Sequence, residues 1–122
     1  MNNYIATGRI TKDATLRTVT IGGVNHNVVD IDVAVNTGSG DTRRTTFVKC
    51  TFWDKLATAL APWLQKGRLV AINGELAEPE VWIGDDGKCR AKNRLRGTSL
   101  EFLGAKPANA DEVPFDADPV AE

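Results

Sequence analysis

The chain reads as an all-β domain: a five-stranded, partly open barrel with one helix between its third and fourth strands. Three observations predict this. Two stretches, Val24–Asn36 and Arg43–Trp53, alternate apolar and polar side chains with the period of a half-buried strand. Between Asp54 and Gln65, Leu56, Leu60 and Leu64 recur at four-residue steps, the spacing of one helix face. After Gly67 the extended pattern returns and lasts until Leu103.

Composition sets the outer bounds. One hundred and twenty-two residues suit one domain with one core, and 42% hydrophobic with 25% charged residues is ordinary for a soluble globular protein. No apolar run approaches a membrane span, and the N-terminal MNNYIATGRI lacks the basic-then-apolar pattern of a secretory signal. A cytoplasmic, nucleoid-associated protein without membrane contact is the expectation. Cys50 and Cys89 are distant in sequence and are expected as free thiols. His26 is the sole histidine, so no cysteine–histidine cluster exists, and no metal or cofactor is expected.

The net charge of −1 conceals an asymmetry. Residues 1–106 hold all fifteen Lys and Arg against eleven acids, while residues 107–122 hold five acids and no base. The reading is a mildly basic domain over 1–106 and a disordered acidic tail over 107–122. Such a split points to nucleic acid on the body and a protein partner, or an internal competitor, on the tail.

Residues 3–11 form the first strand, with Gly8 marking a bend or close approach, and Leu16–Ile21 continues extended. Gly22-Gly23 is a hairpin turn. In the second strand Val29, Ile31, Val33 and Val35 face the core, and residues 37–41 make a flexible loop. In the third strand Val48, Cys50 and Phe52 face inward, and Phe47, Lys49, Thr51 and Trp53 face outward. Asp54 is placed to cap the helix, Pro62 to kink or split it, and Lys66-Gly67 to end it. Trp63, at the helix end, is expected to pack on the barrel. The fourth strand runs from Arg68 to Leu76, where Pro79 interrupts it; residues 84–87 turn; the fifth strand covers Lys88–Leu103. The charged stretch Ala77–Arg94 should project beyond the core. Three strands, a helix and two strands make the order of the OB-fold.

The outward face of the third strand carries the functional signal. Two aromatics flank a lysine and follow Arg43 and Arg44. Aromatics interleaved with cations suit unpaired bases on a phosphate backbone. No nucleophile–base pair, metal cluster or phosphate-binding glycine loop is visible, which argues against an enzyme.

Several stretches in order carry a resemblance: NYIATGRITKDATLR at the start, DIDVAVN in the second strand, and FVKCTFWDKLATALAPWLQKGRLVAINGEL in the middle. Over about residues 2–104 the chain resembles the bacterial single-stranded DNA-binding protein family. The resemblance implies an OB-fold, sequence-tolerant binding of single-stranded DNA in replication, recombination and repair, a homotetramer, and an acidic tail that recruits replication and repair proteins. It implies stacking on Phe47, Trp53 and Trp82. Arg9, Arg43, Arg44, Lys49, Lys88 and Arg90 are the candidate phosphate contacts; Arg94 and Arg96 are set behind them because their strand parity is ambiguous. The loop NTGSGDT lacks the tryptophan that some members carry. Asp111, Glu112, Val113, Pro114 and Phe115 resemble the family's terminal docking peptide, but seven further residues follow. The alternative is an OB-fold adaptor of the primosome type, acting mainly through protein contacts.

Overall fold

The computed structural model describes residues 1–104. The tail expectations, including the segment Asp111–Phe115, lie outside them. The elements are β1 (Tyr4–Ile10), β2 (Thr15–Ile21), β3 (Val24–Thr37), β4 (Arg44–Trp53), α1 (Asp54–Leu60), a 3-10 turn (Ala61–Trp63), β5 (Leu69–Ile83) and β6 (Cys89–Leu103).

The strands pair around a ring, β1–β5–β6–β4–β3, which closes where Arg9 and Ile10 of β1 meet Ala34 and Val33 of β3. β2 adds to β3 as a hairpin. All pairings are antiparallel except β4–β6, where Val48–Thr51 runs parallel to Asn93–Arg96. A parallel pair needs a crossover, and α1 with β5 supplies it. This is the OB-fold barrel expected from the order of elements.

Gly22 and Gly23 both take positive φ, 57° and 80°, so Ile21 pairs directly with Val24 across a two-residue turn. A Cβ on Gly97 would run into the Phe52 ring and the Cys50 sulfur, so the small residue lets β6 lie close over the core.

Of the inward set expected from alternation, Val29, Ile31, Val33, Val48, Cys50 and Phe52 are essentially inaccessible to solvent and Val35 is partly buried; Val70, Ile72, Leu95 and Phe102 complete the core. Each such side chain contributes about 1.5–3 kcal/mol by leaving water. Ala57, Leu60 and Leu64 from the helical segment join it, with Leu56 and Trp63 partly buried against it. The helix therefore plugs one end of the barrel. Pro62 does divide it: the α-helical part stops at Leu60, and the 3-10 turn holds the proline.

Two local expectations are corrected. Asp54 is not the helix cap. Trp53 holds the cap position, and Asp54 is the first helical residue, with φ 57°. The chain reverses sharply from extended Trp53 into the helix, and the left-handed conformation that Asp tolerates makes that reversal. Its carboxylate accepts a 2.8 Å hydrogen bond from Nδ1 of His26. The fourth strand also continues past Leu76 to Ile83. Pro79 sits in a register shift between Ala77 and Glu80, where β5 carries one residue more than β6. The bulge accommodates the proline and lets the β5–β6 ladder run out to Ile83 and Cys89.

Candidate nucleic-acid interface

One face of the sheet gathers most of the singled-out side chains. On β4, Phe47, Lys49, Thr51 and Trp53 point outward, opposite Ala34, Asp32, Asp30 and Val28 of β3. Phe47 is 50% exposed. It lies six residues from Trp53, a separation of about 20 Å along an extended strand.

Around Trp53 the face deepens into a groove of about 550 Å³. Its lining includes Arg17, His26, Asp30, Lys49, Thr51, Asp54, Arg94 and Arg96. The two-residue turn aligns Arg17 with Val28 and Val19 with His26, which sets Arg17 on this face. The parallel pairing sets Arg94 beside Lys49 and Arg96 beside Thr51. The guanidinium carbon of Arg96 stands 6.0 Å from the centre of the Trp53 ring.

The parity of Arg94 and Arg96 turns on Thr98. Counting back from buried Phe102 puts even-numbered residues inward. Between Ser99, opposite Asn73, and Gly97, opposite Gly74, β6 carries one extra residue. That bulge reverses the alternation, so Leu95 is buried and Arg94 and Arg96 face the groove. The Thr98 hydroxyl donates to the Asn73 carbonyl, 3.0 Å away.

Carboxylates organise the cations. Asp30 accepts from Arg17 Nε at 2.9 Å and from the Thr51 hydroxyl at 2.6 Å. Burial pushes the Asp30 carboxyl up, but those hydrogen bonds and the charges of Arg17 and Lys49 outweigh it and hold it below the usual carboxylate range. Asp32 stands 3.4 Å from Lys92 and 3.5 Å from Lys12. Glu80 stands 3.8 Å from Lys49. Among the described residues, Arg94 and Arg96 have no carboxylate partner within ion-pair distance. They are the open charges of the groove.

The hairpin extends the face. Glu80 reaches Lys49, and Trp82, two residues on, shares its side of β5. Trp82 is 39% exposed and lies opposite Arg90, which is paired with Asp86 at 2.7 Å. Lys88 is exposed beside the turn. Arg43 follows a short 3-10 turn, Gly40–Thr42, in the loop before β4, and Arg44 opens that strand; both are exposed. Arg9 is not brought to this groove. Its Nη1 donates to the Gly67 carbonyl at 2.9 Å, and it lines a separate cleft with Lys66 and Arg68.

The structure thus joins Phe47, Lys49, Trp53, Trp82 and Arg90 on one surface and adds Arg17, His26, Lys92, Arg94 and Arg96. The hairpin register after Gly22-Gly23 could have found Arg17; nothing in the local sequence marks the bulge at Thr98. Both cysteines are free, Cys50 buried and Cys89 exposed. Burial, and then the Asp30 charge, pushes the Cys50 thiol up to about 12. Among the described residues no group of three or more His, Cys, Asp or Glu is placed to hold a metal ion, and no helix is long and apolar enough to cross a membrane.

The chain is similar to curated proteins from several bacteria. It is 33% identical over 114 residues to single-stranded DNA-binding protein 3 of Listeria innocua, covering 90% of this chain and 68% of that one. It is 32% identical over 115 residues to the single-stranded DNA-binding protein of Bacillus cereus, covering 92% and 65%. Against single-stranded DNA-binding protein B of Bacillus subtilis it is 28% identical over 107 residues, covering 87% and 93%. The chain therefore spans about two thirds of the first two relatives and nearly all of the third. A model of the single-strand binding protein family matches residues 1–103, the whole of the barrel just described, and the chain belongs to that family.

Proposed function

We propose that the chain binds single-stranded DNA without regard to sequence and without catalysis, covering exposed strands during replication, recombination and repair. The observation that carries this reading is the single face on which Phe47, Trp53 and Trp82 alternate with Lys49, Arg94 and Arg96. Every base has a π-face, so aromatic platforms accept any sequence, and the cations track the phosphates through counterion release. The names of the relatives support the same ligand.

The working unit proposed is a homotetramer in the cytoplasm, associated with the nucleoid. Ile5, Leu76, Val81 and Ile83 are half or more exposed, and a second copy of the chain would cover such surface. The acidic segment Asp111–Phe115 is proposed as a contact for replication or repair proteins.

Titration with oligo-dT, read by tryptophan fluorescence, tests the ligand. Strong quenching, indifference to base sequence and loss of affinity with salt are expected. Absence of binding at low salt rejects the proposal. Alanine at Trp53 or Trp82 should weaken binding to all sequences with the fold retained. Base–aromatic stacking in single-strand-binding OB-folds is known to be worth about 1–3 kcal/mol per base, and that general value sets the size of the expected loss. Sedimentation with and without a long oligo-dT tests the tetramer.

A further inference from the structure

Stacking on Trp53 and the open charges of Arg94 and Arg96 leave a polar side chain of the groove, His26, without a role. It lies on β3 opposite Val19, two residues before Val28, which in turn lies opposite Trp53. Three observations converge on it. Its Nδ1 is 2.8 Å from Oδ1 of Asp54, the residue that follows Trp53. Its ring centre is 5.8 Å from that of Trp53, with the planes at 73°, an edge-on contact. Asp54 is the one non-glycine residue with positive φ among those described, so this hydrogen bond grips the point where β4 turns into α1.

We propose that His26 is a positioning residue for Trp53 and itself a phosphate contact of the groove. This rests on the single-stranded DNA reading and deepens it. A carboxylate oxygen only accepts, so Nδ1 carries the proton of the Asp54 bond. That leaves Nε2 as the open nitrogen of a ring whose side chain is 28% exposed and lines the groove. Nε2 has no hydrogen-bond partner among the described residues. When the ring is protonated, Nε2–H becomes a donor for a phosphate oxygen, and the groove gains a cation.

The charged groups around the same groove are Arg17 on β2, Asp30 on β3, Lys49 on β4, Asp54 on α1, and Arg94 and Arg96 on β6. A phosphate bound at Nε2 adds a negative charge beside the ring and favours its protonated form. DNA binding and proton uptake by His26 are therefore linked, and affinity falls as pH rises through the histidine range.

The test uses the Trp63→Phe, Trp82→Phe background, in which fluorescence reports Trp53 alone. It is titrated with oligo-dT at low salt from about pH 5 to about pH 8.5. The parent should lose roughly tenfold in affinity across the range, the scale of one hydrogen bond to a charged group. His26→Asn places an amide donor where Nδ1 stood. It should keep the Trp53 quench and the high-pH affinity but lose the pH step. His26→Ala should lose the step and bind more weakly, with less quench, at every pH. A step retained in His26→Asn, or His26→Ala matching the parent in affinity and quench, overturns the inference alone. A parent that binds at no pH overturns the DNA reading, and this inference with it.

Discussion

The ammonium nitrogen of Lys49 lies 3.8 Å from Oε2 of Glu80, so the middle of β4 is tied to the projecting β5–β6 hairpin by an ion pair that crosses the proposed DNA path. A phosphate arriving at Lys49 must compete with that carboxylate. Both side chains are partly exposed, so the pair is screened and contributes little to folding. Glu80→Gln is therefore expected to leave thermal stability nearly unchanged and to raise affinity for oligo-dT severalfold at low salt. The slope of log affinity against log salt should steepen by about one phosphate contact. An unchanged slope would show that Lys49 does not meet the backbone.

Arg94 and Arg96 carry the complementary expectation. With no carboxylate partner among the described residues, each is available to DNA at no cost in broken ion pairs. Alanine at either position should weaken binding uniformly across sequences and reduce the salt slope by about 0.7, the single-strand value per phosphate. Arg96→Ala should also alter the Trp53 emission, because its guanidinium stands over that ring. Arg9→Ala, on the separate cleft, should leave binding near parental. Equilibrium titration at several salt concentrations distinguishes the three variants.

Asp30 links stability to acid. Burial raises its carboxyl, but hydrogen bonds from Arg17 and Thr51 outweigh that, and in the folded state it titrates below the ordinary value. A depressed carboxyl stabilises the fold fully above the unfolded value of about 3.9, and that contribution is lost as pH falls through the lower folded value. Denaturant melts of the parent should lose stability over that acid window. Asp30→Asn should be less stable than the parent at neutral pH, and the difference should shrink below about pH 4. A constant difference across the window would assign the effect to packing instead.

The two thiols should behave differently. Cys50 is buried with its thiol pushed up to about 12, whereas Cys89 is exposed at the start of β6. The thiolate is the reactive form. A chromogenic disulfide reagent should titrate one thiol in the native protein near neutral pH and both after denaturation. Cys89→Ser should leave the native protein unreactive, and rapid labelling of that variant would show that the barrel opens around Cys50.

Much of the barrel was legible because burial and strand period coincide. Val48, Cys50 and Phe52 on one side and Phe47, Lys49 and Trp53 on the other are separated by nothing more than the alternation of a pleated strand. Where one residue is added, that logic fails locally. Thr98 shifts the parity of β6 and hides the orientation of Arg94 and Arg96; the added residue near Pro79 lets a strand continue where proline reads as a stop. Asp54 has the chemistry of a helix cap, but a sharp strand-to-helix reversal claims its backbone and His26 claims its side chain. Arg9 illustrates a further limit, since the charge of an arginine says nothing about which side of the barrel it reaches.

The sequence by itself determined the all-β class, the inward set, the place of the helix, the family resemblance and the aromatic–cation face of the third strand. All of these depend on side-chain identity and short-range period, which the linear chain carries complete. Tertiary structure alone decided which cations share the groove, which of them carboxylates already hold, and how His26 meets Trp53. Those relations join residues far apart in the chain, such as Asp32 to Lys92, Lys49 to Glu80 and Thr51 to Arg96. They follow from strand register and bulges, which packing of the whole barrel sets and no local pattern encodes.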